Sequence, residues 1–149
     1  MENQAETNLM AQEQSNAMES PKRERVTPEK VNKVHSNEVY VFSSNLQGLH
    51  NAGTARIAFQ RYGAVMGQSV GLQGKCYAIP TLPGEPGILR PYVDEFLDFA
   101  KQHPELTFLV TAIGADIAGY TPQDTAPLFR KAVKMPNVNL PQEYWEVLG

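Results

Sequence analysis

The sequence predicts an α/β fold with a mostly parallel sheet, and three observations carry that expectation. Short runs rich in β-branched and aromatic residues at 39–42, 76–79 and 106–113 read as buried strands. Segments of helical period stand between and after them, over 54–62, 88–103 and around 128–133. Glycine-bearing loops follow the first and third strands, with Gly48 and Gly53 in one and Gly114 and Gly119 in the other. Strands alternating with helices of this length call for right-handed crossovers and helices on both faces of the sheet.

Taken in order, the first unit is the stretch from Glu38 to Gly63. Val39-Tyr40-Val41-Phe42 is a continuous apolar strand, after which the chain breaks into small and polar residues. From Thr54 the residues Ala55, Ala58, Phe59 and Tyr62 share one helical face, opposite Arg56, Gln60 and Arg61, and Gly63 supplies the stop. Gly67, Gly71 and Gly74 predict a loop or loose hairpin leading into the strand Cys76-Tyr77-Ala78-Ile79, which Pro80 ends. Residues 81–87, T-L-P-G-E-P-G, read as a turn-rich connection. The clearest helix follows, with Val93, Phe96, Leu97 and Ala100 on its inner face, Pro91 in its first turn and Pro104 beyond its end. Residues 106–113 are apolar almost throughout, as in a central strand covered on both faces. Pro127 favours a last long helix with Asp124 as N-cap, because a start at Pro122 would place the proline deeper and force a kink. Val138-Asn139-Leu140 reads as an edge strand, and Tyr144 and Trp145 dock the tail on the body.

Length and composition bound the rest. A chain of 149 residues is one domain's worth. Residues 1–37 are poor in large apolar side chains and read as a disordered extension, a candidate arm for a protein partner, leaving 38–149 as the folded domain. No apolar run is long enough for a membrane span, and the start lacks the basic-then-apolar pattern of an export leader, so a cytoplasmic protein is expected. A formal net charge of −3 argues against a general nucleic-acid binder, which needs concentrated Lys and Arg. The single cysteine, Cys76, excludes an internal disulfide and reads as a packed strand residue rather than a nucleophile. No Cys/His cluster or paired acidic motif has metal-ligand spacing, and no cofactor or metal is expected.

The loops themselves carry the functional signal. In a parallel sheet, ligands bind beyond the C-terminal strand ends, so the two glycine loops should face one crevice. Backbone N–H groups at a helix start suit a phosphorylated ligand. The blocks F-S-S-N-L-Q-G-L-H-N-A-G-T-A, G-L-Q-G-K-C-Y-A-I-P-T and I-G-A-D-I-A-G-Y resemble, in order, those of small macrodomain-like proteins of bacteria and phages. The resemblance covers residues 39–140 and implies a three-layer α/β/α macrodomain-like fold that binds ADP-ribose or a similar nucleotide. It also implies that some members hydrolyse an ADP-ribosyl linkage or a terminal phosphate.

By the same resemblance, Ser44 and Asn45 lie beside the ligand, with Asn45 on the distal ribose. Gly48, Gly53 and Thr54 belong to the loop that wraps the diphosphate, and Gly114, Ala115, Gly119 and Tyr120 to the second phosphate loop. The chain departs from the pattern at Ser43 and Asn51, which replace glycines, and at Asp116, which replaces the second glycine of the later loop. Asp116 beside a diphosphate would repel it, or would act as a general base on water. His50 reads either as a general acid or phosphate contact or as an exposed loop histidine. Asn45 by itself is also a good turn residue, and Tyr120 a good core aromatic. Three readings therefore stand side by side: an ADP-ribosyl hydrolase or phosphatase, a non-catalytic nucleotide sensor or sequestering protein, and an interaction module with a vestigial pocket.

Overall fold

The computed structural model of the chain describes residues 25–115 and 118–149. Among them, six strands form one sheet: β1 (Val26–Thr27), β2 (Glu38–Ser44), β3 (Gly71–Gln73), β4 (Cys76–Pro80), β5 (Thr107–Val110) and β6 (Val138–Pro141). Their order is β1-β6-β5-β2-β4-β3, and every neighbouring pair is parallel except β3 with β4. The α/β class and the mostly parallel sheet expected from the alternation are therefore what the chain forms. The three-glycine stretch before Cys76 is the antiparallel β3–β4 hairpin.

Four α-helices accompany the sheet among the described residues: α1 (Gly53–Ile57), α2 (Arg90–Gln102), α3 (Pro122–Thr125) and α4 (Gln142–Leu148). Strand alternation sorts the core into two sets. Val39, Val41, Tyr77, Ile79, Phe108 and Val110 join Val93, Phe96, Leu97 and Ala100 of α2 and Tyr144 and Trp145 of α4 in the larger cluster. Tyr40, Phe42, Cys76, Ala78 and Leu109, one residue out of phase, meet Ala55, Ala58 and Tyr62 in the smaller one.

Several elements differ from expectation for identifiable reasons. Helix α1 continues as a π-helical turn over Ala58–Tyr62, and Gly63 ends it at φ 87°. The wider i→i+5 winding carries Tyr62 inward but leaves Phe59 44% exposed, so Phe59 is not part of the predicted face. The N-cap of α3 is Thr121, not Asp124: the Asp124 carboxylate accepts the Thr121 N–H at 2.9 Å in a capping box. The helix thus starts at Pro122, and the anticipated break follows, a 3₁₀ segment over Ala126–Lys134 with Phe129 at φ −101°, ψ 17°.

Residues 1–24 of the expected extension lie outside the described residues, but residues 25–37 pack on the body. Strand β1 pairs in parallel with β6, which is therefore not an edge. The Arg25 guanidinium donates to the carbonyls of Ala132, Val133, Met135 and Val138 at 2.5–3.3 Å and lies 5.0 Å from the Trp145 ring centroid. Farther along, Lys75 Nζ donates to Val34 O (2.7 Å), Tyr62 OH to Val31 O (3.0 Å) and Arg61 to Asn32 O (2.6 Å). Among the described residues the packed body thus includes 25–37, which composition assigns to the extension.

Candidate functional site

The two glycine loops do meet. Beyond the C-terminal ends of β2, β4 and β5 lies a crevice of about 390 Å³, within the size range of small-molecule sites. Ser43, Ser44, Asn45, Leu49, Asn51 and Ala52 line it from the first loop, Ala55 from α1, Thr81 and Pro83 from the connection after β4, and Gly114 and Ala118 from the second loop. A second hollow of about 330 Å³ is lined by Lys30, Tyr40, Thr54, Arg61, Thr111 and Ala115 among others. Thr54 and Ala55 are consecutive, as are Gly114 and Ala115, and each pair sends one member into each hollow. The start of α1 and the second loop therefore form a ridge between the two spaces.

Hydrogen bonds fix this geometry. Ser43 N–H donates to Thr54 Oγ1 (3.1 Å), tying the strand end to the helix start, and Ser43 Oγ accepts the Gly114 N–H (2.8 Å), tying one loop to the other. Ser44 Oγ donates to Ser69 O (2.5 Å), and the Thr81 N–H and Oγ1 both donate to Ser44 O at 3.0 Å. Asn45 closes its own loop, with Oδ1 accepting the Leu49 N–H (3.0 Å) and Nδ2 donating to Leu49 O (3.2 Å). Asn45 is thus the turn residue its type favours, and its amide retains one lone pair and one N–H for a ligand.

In the two loops, Gly48 and Gly114 are required by close approach. A Cβ on Gly48, at φ 70°, would stand 2.5 Å from the Gly67 carbonyl carbon. A Cβ on Gly114, at φ 75°, would stand 2.5 Å from the Tyr120 ring. Tyr120 is buried against Gly114, and its hydroxyl lies 2.5 Å from Leu82 O and 3.1 Å from Gly84 O, so it braces the crevice wall from behind. Tyr144 braces the floor: its hydroxyl accepts the Ile113 N–H (2.9 Å) and pairs with Thr125 Oγ1 (2.5 Å). Burial pushes the Tyr144 phenol up to about 12 against the lowering effect of those bonds, so it remains a neutral donor.

The sequence-predicted residues divide accordingly. Ser44, Asn45 and Gly114 line the crevice, Thr54 and Ala115 line the neighbouring hollow, and Gly48 and Tyr120 shape the walls without lining either. Gly53 opens α1 at φ 58° and Gly119 turns the second loop at φ 75°. Asp116 lies outside the described residues.

His50 is not an exposed loop histidine, and it does not line the crevice: it is 1% exposed, edge-on to Phe42, with Nε2 2.8 Å from Val65 O. Its Nδ1 has no hydrogen-bond partner among the described residues. Thr81 and Pro83, passed over as connection, line the site. Their position directly after a parallel strand was the available signal.

Chemically, the described lining offers hydroxyls, amides and backbone groups and no titratable side chain. Cys76, buried with its thiol pushed up to about 12, belongs to the strand core as expected. Among the described residues no group of three or more His, Cys, Asp or Glu is placed to hold a metal ion, and no helix is long and apolar enough to cross a membrane. Comparison with known proteins finds no match: no family model, no curated protein and no solved structure is similar to this chain.

Proposed function

We propose that the chain binds ADP-ribose or a closely related nucleotide derivative across its two glycine loops, on a three-layer macrodomain-like body. The observation that carries this reading is the crevice itself, formed beyond three parallel strand ends from both loops. The adjoining hollow supports it. A ligand with two sugar-bearing ends joined by a diphosphate would lay its ends in the two spaces and its phosphates over the ridge between them. Lys30 and Arg61 in the second hollow, against the one carboxylate Glu29, supply positive charge for such a ligand, and the Asn45 amide suits vicinal hydroxyls.

Among the described residues the crevice lining is uncharged, which favours binding without turnover, because general acid–base chemistry needs a titratable group within hydrogen-bond reach of the reacting atom. Hydrolysis at the distal ribose or its substituent would depend on Asp116 as base, with Asn45 orienting the sugar. Calorimetric titration of ADP-ribose tests the binding reading. Micromolar affinity that Asn45→Ala weakens at least about tenfold, a loss of ~1.4 kcal/mol, would support it, provided the variant keeps its melting temperature. No heat and no thermal shift would remove it. Product analysis with Asp116→Asn alongside then separates sensor from hydrolase.

A further inference from the structure

A second surface, sharing no lining residue with the crevice and independent of the reading above, lies between α2 and the 3₁₀ segment Ala126–Lys134. It is an open groove of about 820 Å³ with Leu128 and Val133 in its floor. Its rim carries Arg90, Arg130, Lys131 and Lys134 against one carboxylate, Asp94. All four cations are exposed, and among the described residues none of them has a hydrogen-bond or ion-pair partner. A second hollow shares Lys131 and Lys134 and adds Lys101 and Asp98, so the basic surface extends along the same helix.

The charge of the chain is distributed unevenly in a matching way. Glu2, Glu6, Glu13, Glu19 and Glu24 against Lys22 and Arg23 place the whole formal net charge of −3 in residues 1–24, and the rest of the chain is balanced. Residues 1–20 contain no Lys or Arg, and Leu9, Met10 and Met18 give them apolar side chains for a groove floor. The tether is already in place. Arg25 bonds the carbonyls of Ala132, Val133 and Met135, at the end of the very segment that supplies Lys131, Val133 and Lys134 to the groove. From there the five residues back to Ser20 span at most about 17 Å, enough to bring the acidic part over the groove.

We propose that residues 1–20 of this chain are the occupant of that groove, held by their glutamates against Arg130, Lys131 and Lys134 and by apolar side chains over Leu128 and Val133. Tethering at Arg25 puts the segment at an effective concentration on the order of millimolar, so weak individual contacts suffice. Charge pairing makes the contact salt-sensitive. A free acidic polypeptide or another polyanion would then have to displace the chain's own segment to reach the surface.

A spin label on Met10→Cys in the full-length chain tests this, since Cys76 is fully buried and does not compete for the label. At low salt the amide resonances of Leu128, Val133 and Leu148 should lose intensity relative to the reduced label, and high salt should restore them. Lys131→Glu with Lys134→Glu should abolish the effect, and adding Glu6→Lys with Glu13→Lys should bring it back. Broadening that is absent, that ignores the charge reversal, or that arises only between labelled and unlabelled molecules in a mixed sample would overturn the proposal. The last outcome would assign the groove to a second copy instead.

Discussion

The two faces of the sheet are built from the same strands yet do different work. The larger cluster packs Phe96, Phe108, Phe129, Tyr144 and Trp145 around α2 and α4, with aromatic rings in edge and tilted contacts 5.4–6.3 Å apart. The smaller cluster relies on Ala55, Ala58, Ala64, Cys76 and Ala78 beneath a five-residue helix and a π turn. Small side chains let α1 and its loop approach the sheet closely, and they leave Ile57, Phe59, Val65 and Met66 partly in solvent. The thick side holds the fold, and the thin side presents backbone and polar groups to the crevice.

Substitution on each side should expose the difference. Phe96→Ala empties a fully buried site among other rings and should cost ~3–5 kcal/mol in denaturant unfolding. Tyr62→Phe on the thin side removes only the hydroxyl bond to Val31 O and should cost ~1 kcal/mol. Comparable losses from the two would erase the contrast.

The loop on the thin side is exacting even though its core is small. Gly67→Ala meets open space and should cost ~1–2 kcal/mol from its positive φ alone. Gly48→Ala should cost more, because its Cβ would press on the Gly67–Gln68 backbone and overpacking adds ~1–3 kcal/mol. Equal melting temperatures for the two variants would mean that the 45–50 loop yields without cost.

Alkaline unfolding can report on both faces at once. Burial raises the Cys76 thiol from 9.0 to about 12 on the thin side and the Tyr77 phenol from 10.0 to about 12 on the thick side. In each case the folded state holds its proton to higher pH than the unfolded state. The associated stability is fully present below pH 9 and is lost as pH rises toward 12. Cys76→Ala should flatten the decline between pH 9 and 10 and leave the later, tyrosine part. An unchanged slope at pH 9–10 would show that the thiol is not shielded.

Much of this was legible in the sequence. The alternation of apolar strands and helical periods is a local signal and gives the class and the parallel order, although the first and last helical periods wind partly as π and 3₁₀ segments. The meeting of the two loops follows from parallel topology. What escaped depends on long-range partners. Arg25 looks like one charge in a mixed-charge run until the end of the 3₁₀ segment, the turn after it and the start of β6 bring four carbonyls to it. His50 sits in a polar, glycine-bearing stretch that reads as surface, yet Phe42 and Val65 enclose it from segments the loop folds back upon. Phe59 fits the α period and fails because the helix widens beneath it. Asp124 reads as the cap because a start at Pro122 forces a kink, and the chain accepts that kink with Thr121 as N-cap.

Ser43 is where the sequence departure and the geometry meet. Its hydroxyl accepts the Gly114 N–H, so a backbone donor at the crevice is engaged within the protein. Removing it with Ser43→Ala should cost ~1 kcal/mol of stability, since one hydrogen bond is lost and its donor is left at a solvent-accessible wall. Ser43→Gly should cost slightly more through backbone entropy. If the crevice binds a phosphorylated ligand, both variants should tighten ADP-ribose by up to about tenfold, because the freed N–H can bond an anionic oxygen and ~1.4 kcal/mol is a factor of ten. Weaker binding by a still-folded Ser43→Ala protein would reverse the assignment: the hydroxyl would then be a ligand contact, and the bond between the loops a resting arrangement that the ligand replaces.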